Sequence, residues 1–369
     1  MAGLTEFWLL AKSNFNVKIY LRGGSALRRR TTLGEVARSA GVSLQTVSNV
    51  VNMKPVVREE TRKLVLEHLE LCGYRSNALA RSLKTNKSQL IGLVVPSITN
   101  SMYAEVAESV VHEAEKRGYT VMMAVTKRDA QTEVELVNTI IDHSAAGILI
   151  SPSDPEAAAG KTAIQIGVPI VEMLNRGVKD GCDVFEADNF NGARIAVAHL
   201  IALGHRRIAH ISGLSNSTGQ ARQQGYEQAL TDSGIAVDPD LIICGQYMRE
   251  GGRAACERLL SEAEDVTATF CASDLMAYGA MEALAARGLR VPDDMSLIGF
   301  DDMNMSSLPG VNLTTVSFAP AQLAKRAIER LIAIIESPDG ALAPMHDITQ
   351  CTLIERGSTL PFPTPVHPT

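Results

Sequence analysis

Short hydrogen-bonding side chains are concentrated in one weakly charged stretch, GEVARSAGVSLQTVSNVVN, residues 34–52. Gly41 lies near its middle and tolerates the positive φ of a tight turn, so we expect one helix before it and another after it. The side chains predicted to face outward at the start of the second helix are Ser43, Leu44, Gln45, Thr46, Ser48 and Asn49. Donors and acceptors of this size can reach phosphates and base edges in a major groove. The stretch therefore predicts a helix that reads DNA.

The apolar residues of the same stretch indicate how that helix is positioned. The inward face is predicted to consist of Val36, Val42, Val47 and Val50. Ala37 is small enough for two helices to cross closely at its position, as in a helix-turn-helix. The alternative is an αα-hairpin in an unrelated helical domain, so a second property of the sequence is needed to choose between them.

Charge is divided unevenly along the chain of 369 residues. Residues 1–88 hold 15 Lys and Arg against 6 Asp and Glu, a net charge of +9, whereas the remainder has a net charge of −15. A basic segment on an acidic body indicates that one part meets phosphate and the other has a separate task. Together with the helix pattern, this charge predicts a DNA-binding headpiece.

Beyond residue 88, short apolar runs alternate with amphipathic helices. The runs of the first half are LIGLVVP, YTVMMAV, AGILIS and VPIVEML, and those of the second half are RIAHISG, LIICG, ATFCAS and MSLIGFD. Continuous apolar strands that alternate with helices predict parallel sheets covered on both faces. Two such halves predict two doubly wound lobes with a ligand cleft at the carboxyl ends of the strands. The predicted fold class is an all-α headpiece followed by a two-lobed α/β body.

Several other classes of protein are disfavoured. Six cysteines lie far apart with no CxxC pair, which indicates buried thiols in a reducing compartment rather than disulfides or a zinc site. No apolar run approaches the roughly 20 residues that a membrane span needs. Asp301 and Asp302 could be paired catalytic carboxylates, but no nucleophile–base pair, phosphate loop or metal spacing accompanies them. His205 and His210 flank a short strand, where structural roles are expected. We therefore predict no catalytic residue, no metal and no cofactor.

The ordered motifs of the chain resemble those of the LacI family of bacterial transcriptional repressors. The resemblance rests on TTLGEVARSAGVSLQTVSNVVN, LCGYRSNALARSLKT, GLVVPSITN, ALGHRRIAHISG, GYEQAL and VPDDMSLIGFDD, and it extends from Thr31 to about Arg356. It implies a periplasmic-binding-protein-like body, a homodimer on a near-palindromic site in double-stranded DNA, a small-molecule effector, and a cytoplasmic, nucleoid-associated location. A tetramer is the alternative assembly. A transport-type sugar-binding protein would fit residues 89–356, but the headpiece and the missing signal peptide disfavour it.

The resemblance also implies roles for single residues in DNA binding. Base reading is expected of Leu44, Gln45 and Asn49, and contact with the phosphate backbone is expected of Thr32, Ser43, Thr46, Ser48 and Asn52. The segment NALARSL matches the family's hinge helix, in which Ala80 and Leu83 meet the minor groove and the leucine kinks the duplex. Family members usually carry Arg where this chain has Asn49. Since Asn suits adenine edges better than guanine, the operator preference of relatives does not transfer.

The effector site that the resemblance implies lies between the lobes. The expected residues are Ser97, Asn100, Tyr103, Arg176, Arg222, Tyr247, Ser273 and Asp301. The segments VPIVEMLN, GYEQALTDSGI and DVFEADNFNGAR are most similar to gluconate-type repressors, so the effector is expected to be gluconate or a ketogluconate. Its carboxylate would meet Arg222 or Arg176. A neutral hexose or pentose is the alternative, because Glu172 near the cleft would disfavour an anion.

These expectations define the domain boundaries. Residues 1–30 are predicted to be a disordered extension or the product of a misplaced translation start. The predicted domains are the helix-turn-helix at 31–76, the hinge helix and linker at 77–88, the first lobe at 89–188 plus 318–346, and the second lobe at 189–317 plus 347–360. The Pro-rich tail at 361–369 is predicted to be disordered.

Overall fold

The computed structural model describes residues 31–52, 54–74, 88–153, 158–177, 181–263, 265–337 and 342–362. The chain divides into two compact units, Met1–Asn86 and Lys87–Thr369. The predicted extension at 1–30 lies outside the described residues, as does the predicted hinge helix with Ala80 and Leu83.

Three short helices form the described part of the first unit. They are α1 (Leu33–Ala40), α2 (Leu44–Val51) and α3 (Glu59–Leu71). Gly41 makes the turn between α1 and α2 with a φ of +65°, as predicted. Thr32 and Glu35 exchange hydrogen bonds between side chain and backbone amide, and this capping box fixes the start of α1. The buried core of the headpiece consists of Val36, Ala37, Val47, Val50 and Val65. The helix-turn-helix prediction is confirmed.

The outward position predicted for Ser48 is wrong. Ser48 is buried, with 7% of its surface exposed, and Asn52 Nδ2 donates to its carbonyl oxygen at 2.6 Å. In a helix of 3.6 residues per turn, Ser48 lies about 60° from Val51, at the edge of the inward face. Ser48 therefore packs within the headpiece, and this burial does not support a contact with phosphate.

The first lobe of the body contains a six-stranded parallel sheet. Five of its strands are β1 (Leu90–Val95), β2 (Thr120–Val125), β3 (Gly147–Ile150), β4 (Ile170–Met173) and β5 (Asp183–Ala187). The sixth is β11 (His346–Thr349), and the order across the sheet is β11-β5-β4-β3-β1-β2. The helices of this lobe are α4 (Ser101–Lys116), α5 (Ala130–Asp142), α6 (Ala158–Ile166) and α11 (Pro320–Glu336). Alternate residues of β1 join two different buried clusters, so both faces of the sheet are covered.

The second lobe repeats the pattern on a four-stranded parallel sheet. Its strands are β6 (Ile208–Ser212), β7 (Ile242–Cys244), β8 (Ala268–Cys271) and β9 (Ser296–Ile298), in the order β7-β6-β8-β9. Its helices are α7 (Asn189–Ala202), α8 (Ser217–Asp232), α9 (Arg249–Glu262) and α10 (Asp274–Ala286). The short 3-10 turns are Pro239–Leu241 and Asn304–Ser307. All eight predicted strands are present, and the doubly wound, two-lobed fold class is confirmed.

The chain crosses between the lobes three times. It enters the second lobe after β5, leaves it after β10 (Thr315–Ser317), and returns between β11 and β12 (Thr352–Ile354). Strands β10 and β12 pair in antiparallel fashion. The predicted lobe boundary between residues 346 and 347 is wrong, because His346–Thr349 is one strand that pairs in parallel with β5 of the first lobe.

The start of the predicted disordered tail also needs correction. The backbone amide of Phe362 donates to the carbonyl oxygen of Leu203 at 2.8 Å, and the Phe362 ring packs against His205 with centroids 5.7 Å apart. These contacts attach residues 361–362 to the second lobe. Residues 363–369 lie outside the described residues.

His210 is enclosed by aromatic rings at the centre of the second lobe. It stacks between Tyr226 and Phe270, with centroid distances of 5.0 and 4.9 Å. Its Nδ1 lies 3.0 Å from the Phe270 carbonyl oxygen, which can only accept, so Nδ1 carries the hydrogen. Its Nε2 is buried without a hydrogen-bond partner among the described residues. Burial lowers the pKa of His210 to about 4. This histidine is a neutral core residue, in agreement with the structural role expected for it.

Candidate functional site

Arg222 on α8 is buried, with 4% of its surface exposed, and its guanidinium is held in one orientation. Its Nε donates to Asn189 Oδ1 at 2.9 Å, and its Nη1 donates to the carbonyl oxygen of Ala272 at 2.5 Å. The same Nη1 lies 3.4 Å from Asp301 Oδ1. The guanidinium carbon stands 3.5 Å from the centroid of the Phe300 ring. Hydrogen bonds, an ion pair and a cation–π contact thus compensate the burial of this charge.

Asp301 is a buried carboxylate on an unusual backbone. Its φ is +117°, a value that residues other than glycine rarely adopt. Burial raises the pKa of Asp301 to about 6, although the Arg222 guanidinium opposes this shift. Asp274, at the start of α10, is also buried. Its burial and the charge of Asp301 raise the pKa of Asp274 to about 7, against the effect of its hydrogen-bond donors. The Arg222–Asp301 pair therefore presents adjacent donor and acceptor groups in a site largely shielded from water.

Tyr247 contributes a hydroxyl that has no partner among the described residues, although the oxygen is buried. The backbone at Tyr247 and at Gln246 before it is left-handed, with φ of +57° and +59°. A Cβ on Gly213 would lie 2.1 Å from the Tyr247 ring, so only glycine leaves room for the ring there. Burial raises the pKa of Tyr247, so the group remains a neutral hydroxyl. A buried hydroxyl without a partner is a place where a ligand can form a hydrogen bond.

These residues share a cavity at the carboxyl ends of strands from both lobes. The cavity holds about 660 Å³ of empty space, part of it open to solvent. Its polar lining residues are Asn100, Tyr103, Arg128, Ser153, Asn175, Asn189, Asn216, Thr218, Arg222, Tyr247 and Asp301. Its apolar lining residues are Pro96, Met102, Pro152, Leu174, Ala187, Leu214 and Phe318. We call this space the first cavity.

A second cavity, with about 530 Å³ of empty space that includes open solvent, adjoins the first. The two share Asn100, Arg128 and Tyr247. The other lining residues of the second cavity are Ser97, Thr99, Met248, Arg249, Glu250 and Leu275. The shared residues mark the point where the two spaces meet.

The structure brings together most of the residues expected in the effector site. Asn100, Tyr103, Arg222, Tyr247 and Asp301 line the first cavity, and Ser97 lines the second. Arg176 and Ser273 line neither of these cavities.

Each of the two exceptions has a local structural reason. Arg176 has an exposed side chain, and its backbone amide donates to Ser217 Oγ at 2.8 Å. Ser273 is 1% exposed and is the N-cap of α10, where its hydroxyl accepts from the backbone amide of Met276. Glu172 is buried and accepts from the amide of Gly177 at 2.9 Å, and it does not line either cavity.

Sequence reasoning missed several polar residues of the first cavity, of which Asn175, Asn189, Asn216 and Thr218 are examples. A usable signal exists, because each of them lies within about six residues after the carboxyl end of β4, β5 or β6. This is the edge of a doubly wound sheet at which ligands bind. Arg128 follows β2 in the same way, in a segment whose polar composition resembles an ordinary surface loop.

The first two turns of α2 carry the residues expected to read bases, Leu44, Gln45 and Asn49. Leu44 is 56% exposed, and the Gln45 Nε2 donates to Asn49 Oδ1 at 3.0 Å on the exposed face. Ser43 caps the helix by accepting from the backbone amide of Thr46 at 3.0 Å. Thr32 is exposed at the start of α1, and Asn52 is exposed at the end of α2.

The described residues show neither a metal-binding cluster nor a membrane-spanning helix. No group of three or more His, Cys, Asp or Glu residues among them could hold a metal ion. In the described part of the chain, no helix is both long and apolar enough to cross a membrane. The six cysteines are free thiols.

Comparison with known proteins identifies the class to which this fold and site belong. Residues 32–77 match the family of bacterial regulatory proteins called lacI, and residues 197–359 match the periplasmic binding protein-like domain. The chain is 33% identical over 310 residues to the HTH-type transcriptional repressor PurR of Haemophilus influenzae strain PittEE, covering 84% of this chain and 92% of that one. It is 34% identical over 309 residues to the ribose operon repressor of Haemophilus influenzae, covering 84% and 93%.

A solved structure shows the same architecture. The lac repressor dimer bound to operator and the anti-inducer ONPF superimposes with a TM-score of 0.80 and 28% identity, covering 90% of this chain and all of that one. The chain belongs to the LacI family. It is a ligand-responsive transcriptional repressor with a DNA-binding headpiece and an effector-binding body, and it is not an enzyme.

Proposed function

We propose that this repressor controls a carbohydrate or sugar-acid catabolic operon, and that its effector is a sugar-sized polyol bound in the first cavity. The observation that carries the proposal is the Arg222–Asp301 pair, at 3.4 Å, beside the partnerless Tyr247 hydroxyl. A fixed guanidinium and a carboxylate offer a donor and an acceptor together, which vicinal hydroxyls can use at the same time.

The remaining wall of the first cavity supports a polyol. Its amide and hydroxyl groups come from both lobes, and the Phe318 ring lies among them. Many uncharged donors and acceptors around an aromatic surface suit a ligand that has hydroxyls on its edges and C–H bonds on its faces. The similarity to a ribose operon repressor is consistent with this class of ligand.

Gluconate or a ketogluconate is the first candidate within that class, and a neutral hexose or pentose is the second. The structure does not support the expected contact of a sugar-acid carboxylate with Arg222 or Arg176. Arg176 is outside both cavities, and the Arg222 charge is already compensated by Asp301, so neither residue offers an unpaired positive charge to a carboxylate in the first cavity. The objection from Glu172 is weaker, because its carboxylate faces the Gly177 amide rather than either cavity.

Operator control follows from the position of the site between the lobes. A ligand that contacts both lobes binds the closed arrangement more tightly than the open one, so it shifts the population between the two. If the headpieces bind the operator in only one arrangement, the effector and the operator are thermodynamically coupled. The same coupling describes release of the operator by an inducer and recruitment to it by a corepressor, and an operator-binding assay with and without the effector distinguishes the two.

The proposed operator complex contains a dimer in which two headpieces read the halves of a near-palindrome. An apolar groove between α4 and β2 supports pairing with a second copy of the chain. It is lined by Leu93, Ala107, Val111, Val121 and Met123 together with Glu108, His112 and Glu115. Val111 is 37% and Met123 is 47% exposed. Apolar surface with a charged rim is the usual anatomy of a subunit interface. The lac repressor in the operator complex is also a dimer.

A thermal-shift panel followed by an operator-binding assay tests this proposal. A ligand that binds only the native state raises the melting temperature, so we expect a sugar or sugar acid to raise it and to change the affinity for operator DNA selected from random sequence. Binding of gluconate would support the sugar-acid operon, and binding of a neutral sugar alone would replace it with ordinary sugar catabolism. If every sugar and sugar acid leaves both the melting temperature and the operator affinity unchanged, the proposal fails.

A further inference from the structure

Arg128 lies at the point where the two cavities meet. Arg128 lines both of them, together with Asn100 and Tyr247. It belongs to the loop after β2, on the opposite lobe from Arg222. A charged residue at such a junction can contact a ligand that occupies either space.

Among the described residues that line the two cavities, Arg128 is the charged residue whose side chain has no ion pair. Arg222 pairs with Asp301 at 3.4 Å, and Arg249 pairs with Glu250 at 3.0 Å and with Glu282 at 2.5 Å. The Arg128 guanidinium has no hydrogen bond or ion pair among the described residues. The described lining of the two cavities together thus carries one net positive charge.

The loop that carries Arg128 has a defined backbone conformation held by hydrogen bonds. Lys127 and Arg128 both have left-handed backbone, with φ of +55° and +63°. The Arg128 amide donates to Thr126 Oγ1 at 3.2 Å, and that hydroxyl lies 2.8 Å from Ser153 Oγ in the loop after β3. Thr126 is completely buried. Two consecutive non-glycine residues adopt this conformation only where their surroundings impose it, and such positions concentrate at functional sites.

We propose that Arg128 is the anion-recognising residue of the effector site, and that the effector carries one carboxylate or phosphate group at the junction of the two cavities. This inference rests on the proposed polyol effector and specifies that the effector is negatively charged. The polyol part lies against Arg222, Asp301 and the Tyr247 hydroxyl, and the anionic group lies against the Arg128 fork. A guanidinium binds either anion with two parallel hydrogen bonds.

Calorimetric titration with matched ligands tests the assignment. The panel pairs D-gluconate with its neutral isostere D-gluconamide and D-glucose 6-phosphate with D-glucose, and adds five- and six-carbon aldonates, ketoaldonates and uronates. We expect at least one anion to bind the wild-type chain about ten- to hundred-fold more tightly than its neutral partner, as for a hydrogen bond to a charged group. Whether the carboxylates or the phosphate esters bind identifies the anionic group.

Two substitutions at Arg128 and one at its neighbour complete the test. Arg128→Gln should abolish the preference for the anion while leaving the melting temperature of the free protein unchanged, and Arg128→Lys should retain part of the preference. Lys127→Gln removes the same charge from an exposed side chain outside the cavities and should leave the preference intact. Equal losses in Arg128→Gln and Lys127→Gln would show only a general field effect and would overturn the assignment.

The remaining outcomes separate this inference from the proposed function. If the wild-type chain binds no anion in the panel, or binds gluconate and gluconamide equally, Arg128 is not an anion site. A neutral sugar that nevertheless changes operator affinity would then preserve the proposed function. Conversely, an anion that depends on Arg128 but leaves operator affinity unchanged would preserve the site and refute effector control.

Discussion

Arg222 Nη1 and Asp301 Oδ1 lie 3.4 Å apart in a site where each residue has only 4% of its surface exposed. The two residues come from α8 and from the loop after β9, so the pair forms only when these two distant segments of the second lobe have come together. An ion pair at this depth has lost most of its hydration on both sides, and its contribution depends on both partners being present.

Removal of one partner of this pair should cost much more stability than removal of a surface pair. Asp301→Ala leaves the Arg222 charge buried, and we expect the free energy of unfolding to fall by about 3 kcal/mol. The matched control is Glu257→Ala, which breaks the exposed pair between Arg253 and Glu257 at 2.9 Å and should cost less than about 0.5 kcal/mol. Urea denaturation measures both values. Similar losses in the two variants would contradict the assigned burial.

The Tyr247 hydroxyl should matter for the effector but not for the folded state. Tyr247→Phe removes a buried hydroxyl without a partner among the described residues, so the melting temperature of the free protein should stay constant or rise while effector affinity falls. Tyr226→Phe is the control, since the Tyr226 hydroxyl donates to the Ile208 carbonyl oxygen at 2.8 Å. That variant should lose about 1–3 kcal/mol of stability. A destabilised Tyr247→Phe protein would mean that the hydroxyl has an internal partner.

His210 should make the protein sensitive to acid. The pKa of His210 is lowered to about 4, so between pH 6.5 and pH 4 the unfolded chain binds a proton that the folded chain does not. The free energy of unfolding should therefore fall as the pH drops through this window, by about 3 kcal/mol from this residue. His210→Gln should show a smaller decrease between pH 7 and pH 4.5 in urea denaturation. The exposed His143→Gln variant controls for loss of a histidine, and parallel pH profiles of His210→Gln and the wild type would refute this account.

The local sequence pattern predicts the strands and the headpiece well because their cores are made from apolar runs within each element. Strand β5 is not predicted by this pattern, because Asp183 and Glu186 interrupt its apolar residues. In the structure they have distant partners: Arg330 Nε donates to Asp183 Oδ2 at 2.5 Å, and His346 Nε2 lies 2.7 Å from Glu186 Oε1. Partners so far away in the chain cannot be recognised from local spacing.

The same distinction holds for the candidate site. Asn100, Tyr103, Arg222, Tyr247 and Asp301 were predicted from motifs and line the first cavity. Ser273 follows a strand in the same manner, but its hydroxyl caps α10 instead. The fate of a polar residue at a strand end therefore depends on whether it starts the next helix or faces the opposite lobe, and only the tertiary structure decides that.

Asn49 should determine which base the headpiece prefers at one operator position. Its amide is oriented by Gln45 at 3.0 Å, and an amide pairs well with adenine. Asn49→Arg should change the preferred base from adenine to guanine, with discrimination of about 1–3 kcal/mol, in selection from random DNA. Leu71→Arg adds the same charge at the exposed end of α3, where Leu71 is 79% exposed. This variant should bind DNA as tightly as the wild type or more tightly, with the same sequence preference. An unchanged preference in Asn49→Arg would remove Asn49 from the base-reading set.

The apolar groove between α4 and β2 should hold the proposed dimer together. Val111→Glu places a charge in that groove, and we expect the protein to become monomeric in light scattering at micromolar concentration. Ile166→Glu changes an equally apolar side chain, 57% exposed at the end of α6, and should leave the dimer intact. If Val111→Glu remains a dimer, the second copy must pair through another surface.

The return of α11 to the first lobe determines the order in which the protein can be completed during synthesis. Leu323, Ala327, Ile328 and Leu331 of α11 belong to the core of that lobe, yet they follow strands β6–β10 in the chain. A ribosome adding about 5–20 residues per second needs roughly 7–30 s to pass from β5 to the end of α11. For that time β1–β5 lack one cover of their sheet. The amino-terminal lobe therefore cannot be completed until most of the second lobe has been synthesised, and its incompletely covered sheet is exposed to aggregation during that time.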